Sequence, residues 1–144
     1  EPVVQAGPDQ YVWLTEGSVT TALSGTVEDD GRPDPPATYT VMWSLLSGAT
    51  ESVTIADETA EETEVTITAT GTYVFELVAD DSELTGSDPM TVNVFDNPCD
   101  AAKAAGIDPV AGDLNEDCHV DLLDLGVLAA DWLVCTSLDC IEGM

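Results

Sequence analysis

Across 144 residues the chain carries 29 aspartates and glutamates against two basic side chains, Arg32 and Lys103, for a formal net charge of −27. So strong a negative field excludes nucleic acid and anionic membrane as partners and favours cations. With 44% apolar residues the chain can bury one full core and a small satellite, and it has no apolar run near the roughly 18 residues needed to cross a bilayer.

Val3 to Leu14 reads as a split edge strand, two short apolar runs punctuated by Ala6-Gly7-Pro8-Asp9-Gln10. Ser18 to Val27 alternates, with Val19, Thr21, Leu23 and Val27 on one face, and the Pro- and Gly-rich Glu28 to Pro36 is a loop. Further period-two sets follow at Tyr39, Val41, Trp43 and Leu45, at Val53 and Ile55, at Val65, Ile67 and Ala69, at Tyr73, Phe75, Leu77 and Ala79, and at Met90, Val92 and Val94. Turns are expected at Ser47-Gly48, at Gly71 and over Thr85-Gly-Ser-Asp-Pro89. About seven short strands with turn signals every 8 to 12 residues or so predict a mainly β chain, an antiparallel immunoglobulin-like sandwich with Trp43 and Tyr73 in its core.

Ala6-Gly-Pro-Asp-Gln10, Leu23-Ser-Gly25, Trp43 followed by Ser47-Gly48, Val53-Thr-Ile55 and Gly71-Thr-Tyr-Val-Phe-Glu-Leu-Val-Ala-Asp-Asp81 together resemble a PKD domain over residues 1–97. The resemblance implies an extracellular spacer or adhesion module, a scaffold without chemistry of its own.

Asp96-Asn97-Pro98-Cys99 marks a boundary, and residues 98–144 form a second module. Cys99 to Ala105 is predicted to be a short helix with Asn97 as its N-cap and Gly106 as its stop. All four cysteines, Cys99, Cys118, Cys135 and Cys140, fall in this part of the chain. An even count in an acidic, Lys-poor, Thr-rich chain that begins without Met predicts a processed, secreted protein with two disulfides, in any of three connectivities. Zinc is the alternative, but there is no CxxC pair.

Asp113-Leu-Asn-Glu-Asp-Cys-His-Val-Asp-Leu-Leu-Asp124 has the oxygen spacing of an EF-hand calcium loop. Asp113, Asn115 and Asp117 are the expected side-chain ligands at positions 1, 3 and 5, the main-chain carbonyl of His119 is the ligand at 7, Asp121 stands at 9 and Asp124 at 12. These are hard oxygen donors in about the number that Ca2+ takes, six to eight. Position 6, where the chain needs a positive φ, is Cys118 in place of glycine, and position 12 is the shorter acid. Val120 at position 8 is read as the apolar pin of the loop. Asp121 to Leu133 then reads as a helix with Leu122, Leu125, Leu128 and Trp132 on one stripe.

Gly112 through Leu133 resembles a dockerin repeat of the kind seen in secreted proteins of planctomycete-like bacteria. Ordinary dockerins hold two such loops and bind a cohesin on a partner protein, whereas this chain has one. The missing loop leaves the helix stripe without its usual apolar cover, so a calcium-dependent contact with another copy is expected, closing into a ring or running on as an extracellular filament or tube. A cohesin-like partner or the cell surface is the alternative, and polysaccharide binding through Tyr11 or Trp13 is another. No Gly-x-Ser-x-Gly, His-Glu-x-x-His or phosphate loop occurs, and the chain is read as a non-enzyme.

Overall fold

The computed structural model describes residues 1–32, 38–108 and 110–130. Two compact units divide at residue 105: Glu1–Ala105 and Gly106–Met144. The first begins with β1 (Val3–Gln5), β2 (Gln10–Trp13), β3 (Val19–Ser24) and β4 (Thr26–Glu28), and continues with β5 (Thr40–Ser47), β6 (Val53–Ile55), β7 (Glu62–Ile67), β8 (Gly71–Asp80) and β9 (Thr85–Phe95). It closes with helix α1 (Pro98–Ala104). One sheet has the order β2-β9-β8-β5, the other β3-β7-β6, and β1 pairs with β4. Among the described residues every ladder is antiparallel except that between β2 and β9, where Tyr11 stands opposite Asn93 and Trp13 opposite Phe95.

Alternation puts the apolar set inside. Leu23, Trp43, Val65, Ile67, Tyr73, Phe75, Leu77, Met90, Val92 and Val94 form one buried cluster between the sheets. The expected single strand from Ser18 to Val27 is broken at Gly25, so that β3 joins β7 while β4 crosses to β1. The cause is tertiary: a Cβ at residue 25 would collide with Leu77 Cδ2 and crowd the Trp43 ring.

The turn expected over residues 85–89 is instead strand. Pro89 sits opposite Glu76 in β9, below the stretch Val92–Phe95 that β2 covers, so its missing N–H leaves no β2 ladder bond unmade. The reversal lies earlier, at Asp81, whose buried carboxylate accepts N–H groups from Glu83 at 2.8 Å and Leu84 at 2.7 Å. Those bonds, Leu84's first and Glu83's next, hold the Asp81 carboxyl below the usual carboxylate range. A lowered folded value means stability that is complete above the unfolded value, roughly 3.9, and lost as pH falls through the folded one. Asp81→Asn is therefore expected to melt earlier than the parent chain at neutral pH, with the gap narrowing in acid. A gap that stays constant to the acid limit assigns the effect to lost packing instead.

Asn97 caps α1 as the sequence indicates, its Oδ1 accepting from the Asp100 N–H at 2.9 Å. The helix packs on β2 and β9, which is why the compact unit extends past the change in composition at residue 97. Among the described residues no helix is long and apolar enough to cross a membrane.

Candidate functional site

In the second unit, residues 113–124 run from a turn closed by the Asp113 N–H on the Val110 carbonyl at 2.9 Å to helix α2 (Leu122–Ala130). Asp and Asn side chains shape the path by accepting main-chain N–H groups a few residues on. Asn115 Oδ1 accepts from Asp117 at 3.1 Å, Asp117 Oδ1 from His119 at 2.9 Å, and Asp113 takes Asp117 on one oxygen at 3.1 Å and Cys118 on the other at 2.8 Å. Glu116 and Cys118 hold φ of 60° and 67°, so the sixth position has the left-handed backbone that its place in the loop requires, on a residue with a side chain.

The helix start is a reciprocal cap. Asp121 Oδ1 accepts from the Leu123 N–H at 2.7 Å, and Asp124 Oδ2 accepts from the Asp121 N–H at the same distance. The other Asp124 oxygen takes the N–H groups of Leu114 at 2.6 Å and Asn115 at 3.3 Å, which ties the end of the loop to its beginning. These donors, that of Asp121 foremost, hold the Asp124 carboxyl below its ordinary range. Sequence spacing alone missed this capping role. Asp121 and Asp124 stand at the N-cap and third helical position, a pattern usually looked for as Ser or Thr with Glu.

The loop thus encloses two carboxylates, Asp113 at 7% exposure and Asp124 at 4%, while Asn115 and Asp121 are exposed and Asp117 is half-buried. Among the described residues no group of three or more His, Cys, Asp or Glu side chains is gathered to hold a metal ion. The ligating atoms expected within the loop are nevertheless all oxygen, with no Lys or Arg between residues 113 and 124, and both Asp113 oxygens, each taking one N–H, keep a second lone pair. That set suits a hard cation such as Ca2+ and not a thiolate-seeking metal. Cys118 is disulfide-bonded, as is Cys99, and no cysteine among the described residues is free. This removes both from a zinc site. Cys135, Cys140 and Trp132 lie outside the described residues.

On α2 the apolar stripe is open: Leu122 is 80% exposed, Leu125 53% and Leu128 45%. Val120, the expected pin, is exposed as well. In the sandwich, Tyr11 and Trp13 project from alternate positions of β2, 39% and 43% exposed. The acids at the ends of the sandwich serve their own backbone: Asp80 accepts from Ser82 at 2.7 Å, Asp29 from Gly31 at 2.9 Å, and Asp88 accepts from Ala6 at 2.8 Å.

Compared with known families, residues 6–94 match the sequence profile described as K319L-like, PKD domain. Among solved structures the chain is similar to the PKD domain from KIAA 1837 protein, with 26% identity and a TM-score of 0.52 over 66% of this chain and 87% of that one. It is also similar to a PKD domain from human KIAA0319, with 25% identity and a TM-score of 0.49 over 65% of this chain and 80% of that one. No curated protein matches the chain. The profile match ends before the acidic loop begins.

Proposed function

We propose, for a chain that belongs to the K319L-like PKD domain family over residues 6–94, that it is an extracellular structural protein whose C-terminal module makes calcium-stabilised contacts with further copies of itself. A PKD sandwich is a scaffold, so the specific behaviour is assigned to the module that follows it. The observation that carries the reading is the pairing of two features on one short segment. Asp113 and Asp124 are enclosed carboxylates at the two ends of an all-oxygen loop, and the helix beginning at that loop presents Leu122, Leu125 and Leu128 to solvent. Calcium held by Asp113, Asn115, Asp117, the His119 carbonyl, Asp121 and Asp124 would supply positive charge where the chain repels itself, and the helix stripe, with Trp132 in its sequence register, would supply apolar contact.

Head-to-tail docking of that kind continues as a filament or tube unless its rotation closes a ring. Light scattering and electron microscopy of the full chain are expected to show large assemblies in calcium and their loss in chelator. Monodisperse monomers at high concentration, unchanged by chelator, would return the module to tethering through a cohesin-like partner. A second reading, polysaccharide binding by the sandwich, is favoured by Tyr11 and Trp13, two aromatic side chains exposed on one strand. Retention on neutral glycan columns that Trp13→Ala abolishes would select it.

A further inference from the structure

The edge strand β5 carries a groove that the calcium reading does not use. It is an open depression of about 680 Å3, formed by Tyr39, Val41 and Met42 with Glu61 on one side and Val78 and Asp80 on the other. Met42 and Val78 are cross-strand partners, and more than half of Met42 is exposed, so the outer wall is apolar. Charge stands at the margins. Glu61 Oε1 accepts the Tyr39 hydroxyl proton at 2.7 Å, and Asp80 is exposed at the end of β8. The Tyr39 hydroxyl titrates above its ordinary value, chiefly through the bond to Glu61, next through burial, and in smaller part through the charges of Glu61 and Asp29.

We propose that this groove binds an extended, lysine- or arginine-bearing segment of another protein, with the aliphatic stem of a basic side chain on Met42 and Val78 and its cationic head between Glu61 and Asp80. Long basic side chains combine an apolar stem with a charged end, the same division that the groove shows. β5 is the last strand of its sheet and its outward N–H at Trp43 is taken by the Glu58 carbonyl, so a segment seated over residues 39–42 is best read as extended. Charge complementarity selects the partner. A second copy of this chain offers only Arg32 and Lys103 and arrives with the same charge of −27, whereas a basic segment is drawn in by that charge.

The test is fluorescence anisotropy of a labelled peptide of alternating lysine and valine titrated with the full chain. Saturable binding is expected, weakened about fivefold by Glu61→Gln and further by Glu61→Gln with Met42→Asn, while Glu64→Gln, the same loss of charge on the opposite sheet, changes it by less than about twofold. A glutamine–valine peptide is expected not to bind. Amide shifts on titration should centre on residues 39–42 and 78–80. Equal weakening by Glu61→Gln and Glu64→Gln, shifts spread over the acidic surface, or no saturable binding at all would overturn the proposal, and melting curves establish that each variant is folded.

Discussion

Trp43→Ala is expected to remove about 3–5 kcal/mol of stability from the sandwich, a large share of the roughly 5–15 kcal/mol that holds a domain folded. Trp43 is the largest side chain fully inside the core, and it faces Leu77 across the β5–β8 ladder. Its indole N–H donates to the Glu61 carbonyl at 3.2 Å, and its own main-chain N–H to the Glu58 carbonyl at 2.8 Å, so the ring and the strand are both tied to the segment before β7. Beside it, the absent Cβ of Gly25 is what allows the ring and Leu77 their positions. Truncation therefore opens a cavity in a place where neither the strand nor its neighbours can readily collapse. Trp43→Phe, which keeps most of the volume and loses the N–H, is expected to lose nearer 1 kcal/mol. Thermal melts followed by far-ultraviolet circular dichroism separate the two variants. Equal losses would place the effect in the hydrogen bond and not in the packing.

The β-sandwich was legible because burial on one face leaves a period of two that composition cannot disguise. From Tyr73 to Ala79 every inward residue is apolar and fully buried, and the side chains between them are not. Breaks were less legible. Gly25 carries no signal that the strand changes partner, since its reason is the approach of Leu77 from β8, far away in sequence. Pro89 was misread as part of a turn because a proline argues against a ladder only where its N–H is wanted, and the reach of β2 along β9 is a tertiary fact. In the acidic loop, spacing marked the sixth position, where Cys118 takes a positive φ. It did not identify that Asp121 and Asp124 cap the helix, because an aspartate placed to reach a metal and one capping a helix begin from the same positions. The groove on β5 was beyond reach of any local pattern. It draws on residues 39–42, 59, 61, 78 and 80, which meet only when the sheet and the segment before β7 are assembled.

Asp113→Asn is expected to abolish the calcium response of residues 113–130 while leaving the sandwich melting as before. The Asp113 carboxylate is enclosed, accepts the N–H groups of Asp117 and Cys118, and begins a loop whose other enclosed carboxylate, Asp124, closes back on Leu114 and Asn115. An amide in its place keeps one acceptor oxygen for those N–H groups but carries no charge, so it preserves part of the loop and lowers affinity for a hard cation. Should calcium bind only the folded loop, a free concentration a hundred times the Kd adds about 2.7 kcal/mol to the module, and chelator takes that away. Hydrogen exchange at the amides of residues 114–124, measured in calcium and in chelator, reads this directly. The parent chain should exchange more slowly in calcium, Asp113→Asn at one rate in both, and Asp88→Asn, a change of the same kind in the sandwich, like the parent. Native mass measurement should find one bound calcium in the parent and none in Asp113→Asn. Identical exchange of the parent chain in both solutions, with no metal in its mass, would leave Asp113, Asp121 and Asp124 as helix and loop caps alone, and the open stripe of α2 would then need a partner that owes nothing to calcium.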